Sequence, residues 1–156
     1  AKRFAKQFEQ DYEIKVFDSA SLAVRDADII CTATSSTEEL IHFSDLQPHV
    51  HINAIGSHSS AMREIGNDVL HHAIVIADQL EAVLAESGEI ISAMQQKQLK
   101  PELIIEMGQW LVNKNPNYKN KLTVFKSVGL AIQDMSVANV VYSNAMKNKL
   151  GQAFLL

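Results

Sequence analysis

His58 stands in the stretch Ile52-Asn-Ala-Ile-Gly-Ser-His-Ser-Ser-Ala-Met-Arg-Glu-Ile65, where an apolar run stops at a glycine and passes into small hydroxyl residues. Histidine titrates near neutrality, so at a strand end it can give or take a proton at a reacting atom. A loop histidine that only shapes a pocket fits the same pattern, and the sequence leaves both open. Three more segments share this character: Thr32-Ala-Thr-Ser-Ser36, Asp78, and Lys126-Ser-Val-Gly129. Glycines in two of the four sets give places where a backbone can approach a ligand closely. Such a rim suits a flat ring or a phosphate, although small residues at strand ends are also ordinary turn chemistry. Asp78 reads more readily as the N-cap of a helix starting at Gln79 than as a reacting carboxylate. Lys126 is either a phosphate or substrate contact or a lysine snorkelling from a strand end. His49 and His51 share a strand face, and His71 and His72 are neighbours. Zinc needs three or four converging ligands, and neither an H-E-x-x-H motif nor a cysteine pair occurs, so no metal is expected.

The elements that must position these residues alternate along the chain. ADIICTAT (27–34), VHINAIG (50–56), AIVIAD (73–78) and LTVFKSVG (122–129) are short apolar runs, suited to strands buried on both faces of a parallel sheet. YEIKVF (12–17) alternates and predicts a further strand. Helical patterns open the chain at Phe4, Ala5 and Phe8 and follow at Ser19–Asp26, where Ser19 is a possible N-cap. Others lie over Asn67–His72, Leu80–Ala85, Ile90–Gln98 and Leu103–Leu111, the last with Leu103, Met107 and Trp110 on one stripe. A final helix from Leu130 to about Lys149 carries Met135, Ala138, Val141 and Ala145 on one face, read as core or subunit contact. Pro101 and residues 113–121 read as loops. Alternation of this kind predicts an open α/β sheet, in which ligands bind outside the carboxyl ends of the strands.

Bulk properties exclude several classes. The 156 residues are 47% hydrophobic and 21% charged, as in a globular domain, and the net charge of −4 leaves no basic footprint for nucleic acid. No apolar run approaches the ~20 residues of a membrane span. The charged start AKRFAKQFEQ is unlike a secretory signal, and the single cysteine, Cys31, reads as a packed small hydrophobe. A cytoplasmic protein is expected.

Taken in order, six motifs resemble the C-terminal half of the ornithine cyclodeaminase/mu-crystallin family. They are Ala27-Asp28-Ile29 with Thr32-Ala33-Thr34; His51-Ile52-Asn53-Ala54-Ile55-Gly56-Ser57; Arg63-Glu64; Asp78 with Glu81-Ala82 and Glu86-Ser87-Gly88-Glu89; Glu106-Met107-Gly108; and Val124-Phe125-Lys126-Ser127-Val128-Gly129 with Ala131 and Asp134. The match extends to the closing LGQAFLL. The resemblance implies a Rossmann-type, mostly parallel sheet with flanking helices, from a two-domain homodimeric enzyme using NAD or NADP. It implies a division into a partial nucleotide-binding domain at 1–129 and a C-terminal helix and tail at 130–156 that returns toward a dimerisation domain. Carried over by position, Thr32, Ala33 and Thr34 border the nicotinamide-side half of the cofactor. Ala54, Ile55 and Gly56 lie near the nicotinamide, and Ser127 and Val128 close over it. His58 faces the substrate and Glu86 contacts it.

The cyclodeaminases of this family carry a catalytic aspartate where His58 stands. Its absence points away from lyase chemistry and toward an oxidoreductase of a cyclic imine or small amino acid. A non-catalytic small-molecule-binding protein of the mu-crystallin type is the alternative, with cyclodeaminase-type lyase chemistry a third. No G-x-G-x-x-G occurs, so the pyrophosphate-binding turn is missing from the sequence. The family's first two strands and N-terminal dimerisation domain are not matched either, so the Rossmann sheet is expected to be incomplete. In the order 3-2-1-4-5-6, with YEIKVF third and ADIICTAT fourth, a gap is expected between them. The 156-residue chain alone is therefore expected to be inactive and not to bind a dinucleotide tightly.

Overall fold

A computed structural model of the chain describes residues 1–113, 116–152 and 154; parts of the 113–121 loop and of the closing LGQAFLL lie outside them. Five parallel strands form one sheet: β1 (Ile29–Thr32), β2 (His51–Ala54), β3 (Ile74–Ala77), β4 (Ile105–Glu106) and β5 (Thr123–Lys126), in the spatial order β1-β2-β5-β3-β4. The helices are α1 (Lys2–Phe8), α2 (Ala20–Val24), α3 (Asn67–His72), α4 (Leu80–Glu86), α5 (Gly88–Gln95), α6 (Met107–Val112) and α7 (Ala131–Lys147). Four of the five strands and the helices at 67–72 and 80–86 stand where the apolar runs and periodicities predict them. Ser19 caps α2, its hydroxyl accepting from the Leu22 amide at 3.3 Å.

Strands β1, β2 and β5 are buried on one face, and β3 on both. Ile30, Ile52, Ala54, Val75, Ala77 and Val124 pack with Val69, Leu70, Val83, Ile90 and Ala93 of α3, α4 and α5 into the core. Period-two alternation sends their neighbours to the other side. There Ile29 is 67% exposed, Cys31 is exposed, and His51, Asn53, Thr123 and Phe125 are half-buried. Burial on both faces, expected from the unbroken apolar runs, is met at β3, where Ile76 is buried opposite Val75 and Ala77, and not at β1, β2 or β5; Cys31 is exposed and not a packed core residue. YEIKVF is not a strand; residues 13–17 carry no ladder among the described residues. A strand needs a neighbour for its backbone donors and acceptors, and β1, the sheet edge on that side, pairs only with β2.

Two further expectations fail for local reasons. Residues 103–111 are not one helix: Ile105 and Glu106 pair with Ile76 and Ala77 of β3, and α6 starts only at Met107. His49 lies outside β2 and is exposed, its Nε2 3.0 Å from the Asp28 carboxylate. Helix α7 buries no residue, so its Met135–Val141 face is not core. No helix among the described residues is long and apolar enough to cross a membrane.

Candidate functional site

Register brings the strand tips level. Thr32 of β1 pairs with Ala54 of β2, Ala54 with Lys126 of β5, and Lys126 with Ala77 of β3. Four carboxyl ends thus stand in one row, at about 4.8 Å spacing. The turns that leave this row carry nearly every residue singled out above.

What the first two tips hold is a carboxylate of the chain itself. Glu64 is fully buried, and four donors converge on it: Thr32 Oγ1 at 2.9 Å, Thr34 N at 2.6 Å, Gly56 N at 2.9 Å and Ser57 N at 3.2 Å. Successive backbone N–H groups make an anion-binding nest, and here an internal anion occupies it. Four donors roughly saturate the lone pairs of a carboxylate. A phosphate is therefore not the group this part of the rim accepts. A planar ring, which needs surface rather than donors, fits the small and apolar Ala33 and Ile55 that remain exposed beside the nest. Gly56 is required by the same carboxylate: a Cβ there would overlap Glu64 and the Thr34 amide.

Behind Glu64 lies an ion pair. Its backbone amide donates to Glu89 Oε2 at 3.2 Å, Glu89 Oε1 is 2.9 Å from Lys126 Nζ, and Lys126 Nζ donates to the Ser57 carbonyl at 2.6 Å. Both Glu89 and Lys126 are completely buried. Lys126 thus neither contacts solvent phosphate nor snorkels. It faces inward because it shares the parity of core residue Val124. Glu89 lies in the first turn of α5, where the helix dipole favours a negative charge.

His58 is exposed and does not touch this network through its ring; Nδ1 is 2.9 Å from the Gly56 carbonyl. A carbonyl only accepts, which assigns the hydrogen to Nδ1 and leaves Nε2 as the nitrogen that exchanges a proton. Ser57 Oγ donates to the Met62 carbonyl at 2.8 Å, closing the loop that carries the ring.

The other two tips are tied by Asp78. Its Oδ2 accepts from Ser127 Oγ at 2.7 Å, Val128 N at 3.2 Å and Gly129 N at 3.3 Å, while Oδ1 takes the adjacent Gln79 amide at 2.7 Å. Asp78 is not the N-cap; Gln79 occupies that position, and Glu106 Oε1 reaches across from β4 to accept from Leu80 N at 3.2 Å. Gly129 has φ +89°, a conformation that favours glycine. Ser127 is buried with its hydroxyl spent on Asp78, Val128 is half-buried, and Glu86 is exposed at the end of α4. Among the described residues no group of three or more His, Cys, Asp or Glu is arranged to hold a metal ion.

The model of the Ornithine cyclodeaminase/mu-crystallin family matches residues 1–149. The chain belongs to that family. Ketimine reductase mu-crystallin of Rattus norvegicus is 32% identical over 149 residues, 96% of this chain and 45% of that protein. A Delta(1)-pyrroline-2-carboxylate reductase of Bacillus cereus is 36% identical over 141 residues, 87% of this chain and 43% of its own length. Among solved structures, Delta(1)-pyrroline-2-carboxylate reductase of Thermococcus litoralis, in complex with NADH and L-proline, superposes with a TM-score of 0.90 at 30% identity, covering 99% of this chain and 49% of that one. An archaeal alanine dehydrogenase dimer with bound NAD gives 0.87 at 29% identity, with 100% and 49% covered. The chain thus spans about half the length of the relatives it matches, and its sheet is the Rossmann-type sheet of this family.

Membership makes sense of the row of tips, which brings Thr32, Ala33, Thr34, Ala54, Ile55 and Gly56 around the β1 and β2 ends and Ser127 and Val128 around the β5 end. Glu64, Glu89 and Lys126 were not legible as a group. Only Lys126 carries a local signal, a charge on the buried parity of an apolar strand. Glu64 and Glu89 sit in family motifs without a pattern that marks them as buried.

Proposed function

We propose that this chain is the nucleotide-binding part of an NAD(P)-dependent oxidoreductase acting on a cyclic imine or a small amino acid. The observation that carries the reading is the row of four level strand tips whose donors are already satisfied, by Glu64 at β1 and β2 and by Asp78 at β5, leaving a surface suited to a pyridine ring. The reductase names of the relatives and the NADH and NAD in the solved structures support it. When bound, the cofactor supplies the hydride. Thr32, Ala33, Thr34, Ala54, Ile55 and Gly56 border its ring, and Ser127 and Val128 cover it. His58 acts as the imidazolium, its Nδ1–H donating to Gly56 O while its Nε2–H passes a proton to the nitrogen of a C=N bond. Glu86 serves as a substrate contact. Residues 1–129 form the nucleotide-binding portion, and 130–156 lead toward a dimerisation domain, the wholly exposed α7 being the part that awaits a cover. The protein is a cytoplasmic homodimer in this reading.

In the full natural polypeptide, NADH or NADPH should be oxidised on addition of pyrroline-2-carboxylate or piperideine-2-carboxylate. His58→Ala should lower kcat by about 10²–10⁴-fold, while His71→Ala, on the far side of α3, should leave it unchanged. Absence of turnover together with retained small-molecule binding would favour the non-catalytic alternative. Calorimetry of the 156-residue chain alone with NADPH should show no micromolar binding, since the sequence has no G-x-G-x-x-G turn.

A further inference from the structure

We propose that Glu64, backed by the buried Glu89–Lys126 pair, is a positioning residue that fixes the Gly56–Ser57–His58 turn and thereby aims the His58 ring. The kinetic part of this inference rests on the function proposed above; the structural part does not.

Ser57 is the residue gripped hardest. Its amide donates to Glu64, its carbonyl accepts from Lys126 Nζ, and its hydroxyl donates to Met62 O. Gly56 is held at its amide by Glu64 and, through its carbonyl, holds the His58 ring at Nδ1. Any tilt of the 56–57 backbone therefore moves the imidazole. Glu64 ties the same turn to β1 through Thr32 Oγ1 and Thr34 N, beyond the last backbone bond between the two tips, Ile55 N to Thr32 O at 3.1 Å. Glu89 orients Glu64 from behind by accepting its amide, and Lys126 completes the circuit back to Ser57.

Stability alone is a poor reason for this arrangement. Two carboxylates and one ammonium are removed from water within one cluster, and buried ion pairs are often replaceable by apolar packing without loss. A turn could also close on ordinary Asn, Asp or Gly chemistry. What the charged circuit gives that packing does not is directional hydrogen bonding to the backbone of the two residues that precede His58, with Ser57 held at both its amide and its carbonyl.

The test is Glu64→Gln in the full natural polypeptide. The amide keeps the size but sets a donor against the Thr34, Gly56 or Ser57 amide. With ¹⁵N-labelled histidine, the His58 Nδ1 resonance should shift, because the hydrogen bond to Gly56 O is displaced. In turnover, kcat per folded molecule should fall by up to about 10²-fold, as for a misplaced reacting group, with KM for the nicotinamide cofactor little moved. Thr32→Val, which removes one donor to Glu64 and no charge, should shift the same resonance less, and Thr32→Ser, which keeps the donor, should return it to its natural position. If Glu64→Gln does not fold, Thr32→Val decides. An unchanged His58 resonance in the folded variant overturns the proposal, as does a kcat loss accounted for entirely by the unfolded fraction. Should the natural protein transfer no hydride at all, the function proposed above fails, while a shifted His58 resonance would still uphold the positioning role.

Discussion

Glu64 and Asp78 each gather the turns that follow two strands, Glu64 at the tips of β1 and β2 and Asp78 at those of β3 and β5, but they work at different depths. Glu64 is completely buried, takes donors from two separate strands and is backed by a buried ion pair. Asp78 is half-buried and takes the consecutive donors of one turn plus its own neighbour's amide. One side of the rim is thus a fixed floor, and the other a flap tied at a single carboxylate. That difference suits a site in which a ring rests on the β1–β2 side and is covered from the β5 side.

The comparison can be broken by removing each tie. Glu64→Ala should be the most destructive, because it strands four donors and leaves Lys126 to balance Glu89 alone; a loss above about 4 kcal/mol by chemical denaturation is expected. Lys126→Met should follow at about 3–5 kcal/mol, since it abandons a buried carboxylate. The double variant Lys126→Met/Glu89→Gln should recover much of that loss, which a double-mutant cycle would show. Asp78→Ala should cost less, about 1–3 kcal/mol, with raised hydrogen exchange confined to the amides of Val128 and Gly129. If Asp78→Ala proves as costly as Glu64→Ala, the floor-and-flap distinction is wrong.

The smallest effect concerns a carboxylate away from the rim. The Ser21 hydroxyl, 2.6 Å from Asp45, holds that carboxyl below its ordinary range against the opposing effect of burial, with the His42 amide, the His42 charge and Arg25 adding to the lowering. A lowered native value means the contribution is present above the ordinary carboxylate value of about 3.9 and is lost as pH falls through the native one. Ser21→Ala should therefore raise the Asp45 titration midpoint in an NMR titration, and its stability deficit at neutral pH should vanish in strong acid.

Much of the fold was legible because parallel strands and their helices are written locally. ADIICTAT, VHINAIG, AIVIAD and LTVFKSVG are apolar runs with clean ends, and the register then follows from the sheet. YEIKVF misled because alternation describes a strand's faces and says nothing about whether a neighbour exists to pair with it. Strand β4 was hidden because two residues carry too little period to compete with the helical spacing of Leu103, Met107 and Trp110. The site was legible as a set of strand ends and not as a circuit. A glutamate in an irregular segment, such as Glu64, gives no sign of burial, since what buries it are amides from turns far apart in sequence. The contact that makes a glycine necessary at position 56 was hidden for the same reason: a Cβ there would overlap the chain's own Glu64 side chain.

The most direct measurement is a set of intermolecular NOEs between the nicotinamide ring protons of bound NAD(P)H and methyl-labelled full natural protein. Contacts from the ring to the methyls of Ala33, Ile55 and Val128 are expected, with the Ile55 methyls strongest because they are exposed beside the Glu64 nest. A bound cofactor whose ring protons reach none of these methyls would show that the strand tips are not its resting place.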